Sequence, residues 1–265
     1  MSDPVVSVII ITYNQSQKTA QCFRSIRANC STPHEIIWVD NGSHPREFEA
    51  MKKEVIKPRV KIKLIKFKTN KGFVEGVNAA LSEVHKRAKY IILLNNDTEV
   101  GPETFQKLIK PLDQRKVGIT SCVTQSKISW QEAVNLNRRW PSLKIPPFNG
   151  KLVEYTKALE KRFPEKCIDV RDLNFAFFCA AFRRDVLINE LGGLDKDFVI
   201  GLGEDDFACH KARSLGYKLY LVLDAFVYHH HRTTFKALEI NIDQLRRKNL
   251  VTLRRKIKEL KPCVK

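Results

Sequence analysis

The feature of this sequence that most constrains its fold is a regular alternation of apolar runs and helix-like segments over the first 120 residues. Runs rich in β-branched residues recur about every 25 to 30 residues, and such runs are typical of strands buried on both faces. The segments between them place apolar residues at helical spacing. Strand–helix–strand units of this length predict a Rossmann-like α/β fold, whose mostly parallel sheet is flanked by helices. The predicted strands are 6–11, 35–39, 60–65, 90–94 and 117–123.

The rest of the chain is less regular. Prolines interrupt the pattern over 126–172, and such a long irregular region is either a substrate-binding surface or a structural excursion. Further along, the pattern predicts strands at 174–182, 218–222 and 226–228, and helices at 184–191, 205–215 and 237–260.

Polar residues follow three of the predicted strands, in the segments 12–14, 40–43 and 95–97. Because ligands bind beyond the carboxyl ends of parallel strands, we expect these segments to converge on one site. Asp40 can accept the imide N–H of uracil or thymine, Tyr13 can pack on a base or ribose, and Asp97 can hold Mg²⁺ or Mn²⁺. Asp, Asn and Ser are also ordinary turn residues, so each segment alone fits either interpretation.

Composition narrows the classes of function. Apolar residues make up 43% of the chain, which excludes a wholly disordered protein. The net charge of +18 indicates attraction to phosphates, nucleic acid or an anionic membrane. No nucleic-acid-binding motif is present and the basic residues are dispersed, so we expect no specific nucleic-acid partner. No glycine-rich dinucleotide or P-loop motif follows a strand, although Gly72 can turn a helix N-terminus toward phosphate or ribose.

Two further clusters carry candidate chemistry. Glu204, Asp205 and Asp206 open a predicted helix, where neighbouring carboxylates raise one another's pKa as a general base requires. Acids also favour a helix N-terminus through the helix dipole, so the cluster fits both interpretations. His229 and His231 share one face of a predicted strand, and either imidazole can complete a metal site. A solvent-exposed histidine tract fits the same pattern.

Taken in order, these segments resemble the motifs of the inverting family-2 glycosyltransferases, which have the A-type nucleotide-diphospho-sugar transferase fold. Seven segments match in the family's order over residues 5–235, which is far more specific than any single motif. The layout is most similar to rhamnosyltransferases and other transferases of cell-surface polysaccharide biosynthesis. The matching segments are 8–14, 38–43, 70–78, 94–97, 182–195, 204–205 and 227–229.

The resemblance implies a metal-assisted transfer, with inversion, from a UDP- or dTDP-sugar donor to a hydroxyl of a glycan or lipid-linked acceptor. Asp205 would be the general base with Glu204 beside it, and the metal, Mn²⁺ or Mg²⁺, would bind Asp97 and His229. Asn95 replaces the first acid of the family's D-x-D motif, so a degenerate transferase that only binds a glycan or nucleotide is one alternative. A basic nucleic-acid-binding protein, which the net charge of +18 suggests, is the other. The resemblance assigns nucleotide binding to Thr12, Tyr13, Asn14, Asp40, Asn41, Lys71, Gly72, Asn78 and Asn96.

We expect one transferase domain over 1–235, with a nucleotide-binding half at 1–123 and an acceptor and catalytic half at 124–235. A basic amphipathic helix, 236–265, follows with ten basic and three acidic residues, and Asn249 interrupts its apolar stripe. The helix either packs on the domain or docks on an anionic membrane surface. Seven dispersed cysteines and the lack of a signal-peptide pattern predict a cytoplasmic protein, peripheral to the inner face of a membrane if the helix docks.

Overall fold

The computed structural model describes residues 5–57, 61–126, 129–198, 201–230 and 242–260. In these residues one nine-stranded sheet is covered by helices. The strands are β1 (Val6–Thr12), β2 (His34–Asp40), β3 (Lys61–Lys66), β4 (Tyr90–Leu94), β5 (Thr98–Val100), β6 (Val117–Thr124), β7 (Cys167–Asp169), β8 (Cys179–Arg183) and β9 (Lys218–His229). The helices are α1 (Ser16–Asn29), α2 (Pro45–Val55), α3 (Phe73–Leu81), α4 (Thr104–Ile109), α5 (Ala133–Arg139), α6 (Leu152–Arg162), α7 (Glu204–Ser214) and α8 (Ile242–Glu259).

The strand order is β3-β2-β1-β4-β8-β6-β9-β5, and β7 also pairs with β9. Strands β3, β2, β1 and β4 are parallel to one another, as are β6 and β9. Strand β8 runs antiparallel between β4 and β6, so those two strands share one direction. The carboxyl ends of β1, β2, β4, β6 and β9 therefore meet at one edge of the sheet, where ligands bind in such folds.

Apolar cores lie on both faces of the sheet, as the continuous apolar runs predict. Along β1, Ile9 belongs to one core, whereas Val8 and Ile10 belong to the other. Helix α3 covers the first face through residues such as Val77, and α1 covers the second through residues such as Phe23.

Strand β9 is longer than expected. It runs without interruption through the residues between the two predicted strands, 218–222 and 226–228. Asp224 divided the apolar pattern, but its carboxylate is 4% exposed and accepts a hydrogen bond from the Glu165 amide at 2.9 Å. This contact gives one oxygen of the buried acid a hydrogen-bond partner.

Strand β8 is shorter than expected, because the strand predicted at 174–182 begins only at Cys179. The backbone N–H of Phe175 donates to the Cys209 thiol, and that of Ala176 donates to Gln131 Oε1. Side chains thus take the place of strand partners. The helix expected at 184–191 is a π-helical turn, Val186–Glu190, and the irregular region 126–172 contains α5, α6 and β7.

Helix α8 covers most of the predicted C-terminal helix, whose residues 236–241 and 261–265 lie outside the described residues. Leu253 and Ile257 of α8, and Leu260 directly after it, are half-buried against the core, so this part of the apolar stripe faces the domain. No described helix combines the length and apolar character needed to cross a membrane. The six described cysteines are free thiols.

Candidate active site

The centre of the predicted nucleotide site is Asp40, which ends β2 directly opposite Thr12 at the end of β1. Its side chain is fully buried, and neither carboxylate oxygen accepts a hydrogen bond from a described residue. Burial raises the pKa of Asp40, and the nearby hydroxyl and N–H of Ser43, followed by the positive charge of Lys66 on β3, oppose that rise. A buried carboxylate whose oxygens accept no close hydrogen bond is costly, and a ligand that donates an N–H would reduce the cost.

The ends of β1 and β2 are tied together by side chains of the first loop. Thr12 Oγ1 is buried and accepts a hydrogen bond from Trp38 Nε1 at 2.8 Å. Asn14 takes a left-handed backbone conformation with φ 55°; its N–H donates to Ser43 Oγ, and its Oδ1 accepts from the His44 N–H. Thr12 and Asn14 therefore shape the loop, and Tyr13 lies half-buried between them.

Asn41 organises the loop before α3. Its Nδ2 donates to Asn70 Oδ1 at 3.0 Å and to the Gly72 carbonyl at 3.1 Å, and its Oδ1 accepts from the Lys71 N–H at 2.9 Å. Gly72 precedes α3 with φ 86°, while Lys71 is exposed. A Cβ at Gly42 would lie 2.5 Å from the backbone of this loop, so only glycine permits the close approach.

Two of the predicted nucleotide residues have their amides engaged inside the protein. Asn78 Nδ2 donates to the Leu194 carbonyl, and Asn78 Oδ1 accepts from the Leu194 N–H, both at 2.8 Å. Asn96 is 5% exposed and donates to Thr19 Oγ1 on α1 at 3.0 Å. Asn78 therefore fixes the 192–195 segment, and its predicted contact with the nucleoside stays a prediction.

The two predicted metal ligands lie in contact. Asp97 Oδ1 is 3.2 Å from His229 Nε2, and both side chains are almost fully buried. Gln125 holds the backbone of His229 at two points: its Oε1 accepts from the N–H at 3.0 Å, and its Nε2 donates to the carbonyl at 2.8 Å. The His229 ring also stacks on Phe178, with 5.2 Å between the ring centroids.

The next histidine has different partners, because His230 lies between Lys18 and Glu99 at 2.9 and 2.8 Å. His231 is outside the described residues, so the choice between His229 and His231 is not compared in the structure. Among the described residues no three metal-binding side chains form a cluster. The Asp97–His229 pair still fits a hard divalent cation, because such ions keep waters and bind substrate phosphates beside one or two protein ligands.

The second predicted cluster lies at the start of α7. Glu204 is 6% exposed, and its Oε2 has no hydrogen-bond partner among the described residues. Burial, followed by the charge of Asp205, raises the pKa of Glu204 well above its ordinary value. Burial, followed by the charge of Asp206, raises the pKa of Asp205 to about 7. A carboxyl group with this pKa can exchange a proton near neutral pH.

Asp206 differs from these two acids because it has a side-chain donor. Asn174 Nδ2 donates to Asp206 Oδ1 at 2.8 Å, and Asn174 Oδ1 accepts from Arg213 Nη1 at 2.7 Å. Four residues after Asn174 the chain reaches Phe178, which stacks on His229. The start of α7 is thereby connected to the edge of the sheet that carries the Asp97–His229 pair.

Three residues that adjoin or hold these segments are absent from the predicted site residues. Gln15 follows Asn14 with φ 61°, and its buried amide has no hydrogen-bond partner in the described part of the chain. Its place next to segment 12–14 is a local signal for a ligand contact. Gln125 and Asn249 offer no such signal, because they hold residues that are distant in the sequence.

Residues 7–190 match the family model of Glycosyl transferase family 2, and the chain belongs to this family. It is 26% identical over 112 residues to the undecaprenyl-phosphate 4-deoxy-4-formamido-L-arabinose transferase of Edwardsiella ictaluri (strain 93-146), a match covering 41% of this chain and 34% of that protein. It is 27% identical over 119 residues to the uncharacterized glycosyltransferase EpsJ of Bacillus subtilis (strain 168), covering 45% and 33%. The matched segments thus span about a third of these relatives.

Solved structures share the fold at low identity. The mannosyltransferase PcManGT from Pyrobaculum calidifontis, in complex with GDP-Man and Mn²⁺, gives a TM-score of 0.67 at 19% identity, covering 96% of this chain and 65% of that one. GalNAc-T7 with UDP, GalNAc and Mn²⁺ gives a TM-score of 0.64 at 17% identity, and the match covers 87% of this chain and 44% of that one. S. aureus TarS 1–349 with UDP-GlcNAc gives a TM-score of 0.62 at 16% identity, and the match covers 93% of this chain and 65% of that one. The predicted family, its glycosyltransferase class and the A-type α/β fold are confirmed.

Proposed function

We propose that the chain transfers a sugar from a UDP- or dTDP-sugar to a hydroxyl of a glycan or lipid-linked acceptor, with inversion at the anomeric carbon. The nucleotide-binding half, 1–123, supplies the donor site. The second half, 124–235, supplies the base and the acceptor surface. The observation that carries the proposal is that one short segment contacts both clusters: Asn174 donates to Asp206 at the start of α7, and Phe178 stacks on His229 of the Asp97–His229 pair.

Asp40 supports the choice of donor. Its two buried oxygens lack donors in the described residues, and the imide N–H of uracil or thymine supplies one. Tyr13 and Gln15 lie on the adjoining loop, where a ring and an amide can contact the base or ribose. Among the structural neighbours, GalNAc-T7 and TarS contain UDP or UDP-GlcNAc, whereas PcManGT contains GDP-Man.

Asp97 and His229 are the residues that would hold Mn²⁺ or Mg²⁺, and Mn²⁺ is present in two of the neighbouring structures. When bound, the cation neutralises negative charge on the diphosphate that leaves. Gln125 and Phe178 fix the His229 backbone and ring, so this ligand is oriented in advance.

Asp205 performs the proton transfer in the proposed reaction. The acceptor oxygen attacks the anomeric carbon from the face opposite the diphosphate, the bond from that carbon to the phosphate oxygen breaks, and Asp205 takes the hydroxyl proton. One displacement of this kind inverts the configuration. Burial and the charge of Asp205 disfavour ionisation of Glu204, which concentrates the negative charge of the pair on Asp205.

A lipid-linked acceptor fits the basic surface of α8. Its exposed face carries Arg247, Arg254 and Lys258 around Val251, which is 69% exposed. Because Leu253 and Ile257 pack on the domain, the attraction to an anionic bilayer would be mainly electrostatic. We therefore propose a cytoplasmic setting at the inner face of a membrane. One relative is named as an undecaprenyl-phosphate sugar transferase.

The donor is tested by thermal shift with UDP-, dTDP- and GDP-sugars, each with and without Mn²⁺. A ligand that binds only the native state raises the melting temperature, and we expect the uracil or thymine nucleotides to do so most in the presence of Mn²⁺. Transfer is then followed with the donor that binds, and NMR of the product should show the opposite anomeric configuration. A preference for GDP-sugars would refute the donor assignment, and retained configuration would refute the mechanism.

Membrane binding is tested by flotation with vesicles of phosphatidylglycerol and phosphatidylcholine. The triple variant Arg247→Glu, Arg254→Glu, Lys258→Glu should lose binding, since about 1 kcal/mol per basic residue is removed. The wild type should also lose binding on vesicles of phosphatidylcholine alone. Equal flotation of wild type and variant on the anionic vesicles would contradict the membrane assignment.

A further inference from the structure

The loop that leads into α7 has an unusual backbone. Gly201, Leu202 and Gly203 have φ values of +115°, +70° and +128°. Positive φ is unfavourable for a residue with a side chain, so Leu202 keeps this conformation only where the surroundings hold it. A Cβ at Gly203 would lie 2.9 Å from the Phe198 ring, so the loop also packs too closely for a larger residue there.

A single side chain from a distant helix holds this loop. Asn249 lies in the middle of α8, and its Nδ2 donates to the Gly201 carbonyl at 2.8 Å and to the Leu202 carbonyl at 2.9 Å. The residue is 4% exposed, in contrast to the exposed basic residues that flank it. The Asn249 amide thus donates hydrogen bonds to both of the residues that precede Gly203 and α7.

A second contact keeps α8 in place beside the loop. Lys256, two turns after Asn249, lies 2.8 Å from carboxylate oxygens of Asp195 and of Asp197. Its Nζ also lies 5.5 Å from the centre of the Phe207 ring on α7. Because Lys256 is largely buried, this ion pair is better shielded from solvent than a surface pair. Helix α8 therefore contacts residues on both sides of the 201–203 loop, Asp195 and Asp197 before it and Phe207 after it, and these contacts hold the Asn249 amide against the loop.

We propose that Asn249 is a positioning residue, which fixes the 201–203 loop and through it the carboxylate of Asp205 toward the acceptor hydroxyl. The inference rests on the proposed function, in which Asp205 is the base. It gives α8 a second task, because the inner face of the helix orients the base while its basic face points outward. A misplacement of the base by an ångström slows proton transfer strongly while leaving the donor site unchanged.

The test compares Asn249→Asp with Leu253→Ala. Asn249→Asp keeps the shape but loses the donor hydrogens, whereas Leu253→Ala weakens packing of the same helical face without touching the loop. For Asn249→Asp we expect kcat to fall at least about tenfold, with KM for the donor within about twofold of wild type. Leu253→Ala should lower the melting temperature and keep kcat within about twofold.

Hydrogen exchange of the 201–206 amides gives a readout that does not need activity. Exchange should be faster in Asn249→Asp and unchanged in Leu253→Ala. If Asn249→Asp does not fold, Asn249→Ser removes the amide with a smaller, neutral side chain, and the same results are expected. Wild-type kcat or unchanged loop exchange in either folded Asn249 variant would overturn the inference. A wild-type chain without transferase activity would refute the proposed function, and loop exchange would then decide alone whether Asn249 holds the loop.

Discussion

Three asparagines of the predicted nucleotide site, Asn14, Asn41 and Asn78, have side-chain hydrogen bonds to the protein, whereas Glu204 and Asp205 at the start of α7 have no side-chain donor among the described residues. Asn14, Asn41 and Asn78 each hold a neighbouring backbone segment through short contacts. Glu204 has an unpartnered buried oxygen, and Asp205 accepts from backbone N–H groups such as that of Asp206, at 2.8 Å. The proposed donor site is thus held by its own asparagines, whereas the loop before the proposed base is held by Asn249 of α8.

This difference separates binding from chemistry. Changes at the ends of the strands should alter affinity for the nucleotide, while changes at α7 should alter turnover at saturating donor. An α7 variant that mainly weakens nucleotide binding, or a strand-end variant that lowers only turnover, would contradict this distinction.

The largest effect is expected for Asp205→Asn. The amide cannot take the acceptor proton, so turnover should fall by about a hundredfold or more, with donor affinity by calorimetry nearly unchanged. Asp206→Asn is the matched control, one residue away, and should keep most of the turnover at pH 8, where Asp205 is ionised in both proteins. Turnover above about a tenth of wild type, a loss of less than about 1.4 kcal/mol, would contradict the role of Asp205.

Asp97→Ala should act on the donor side. Loss of the carboxylate should weaken Mn²⁺-dependent nucleotide binding by about 10- to 100-fold, and a chelator should have the same effect on wild type. Glu99→Gln is the control, because Glu99 contacts His230 rather than the Asp97–His229 pair. If Asp97→Ala binds the nucleotide as wild type does, with and without Mn²⁺, Asp97 is not a metal ligand.

Asp40→Asn should give a smaller loss of affinity together with a gain in stability. The asparagine removes an ionised oxygen that burial destabilises, so the melting temperature should rise, while UDP or dTDP affinity falls by about 1–2 kcal/mol. Asp224→Asn is the control, since Asp224 is also buried with a pKa that burial raises. That variant should leave nucleotide affinity unchanged, and an equal loss in both variants would show that the effect of Asp40 is indirect.

The features that could be predicted from the sequence are those set by local pattern, whereas contacts made by the tertiary fold could not be predicted. The strands of the first half follow from β-branched runs, and the strand ends converge because parallel topology places them at one edge. Strand β9 was predicted as two strands because Asp224 interrupts its apolar pattern, and its partner, the Glu165 amide, is brought near only by the fold. Local pattern carries no information about such a contact.

For the site, too, the sequence indicates which segments take part but not which atoms they contact. Segments 12–14, 40–43 and 95–97 stand out because polar residues follow buried strands, but the atoms that Asn41 and Asn78 bind depend on tertiary packing. Gln125 holds His229 across 104 positions, and Asn249 holds Leu202 across 47. In the sequence Asn249 is only a polar interruption of an apolar stripe, which gives no indication that it contacts the 201–203 loop.

The most direct test of the account is the pH dependence of kcat/KM in wild type and in Asp206→Asn. The base must be ionised, and burial and Asp206 raise the pKa of Asp205 to about 7, so wild-type kcat/KM should rise with pH and level off above an inflection near that value. Removing the charge of Asp206 lowers the pKa of Asp205, so the inflection should move to lower pH. A wild-type profile that is flat between about pH 5.5 and 8, or an inflection that Asp206→Asn does not shift, would contradict the assignment of Asp205 as the base.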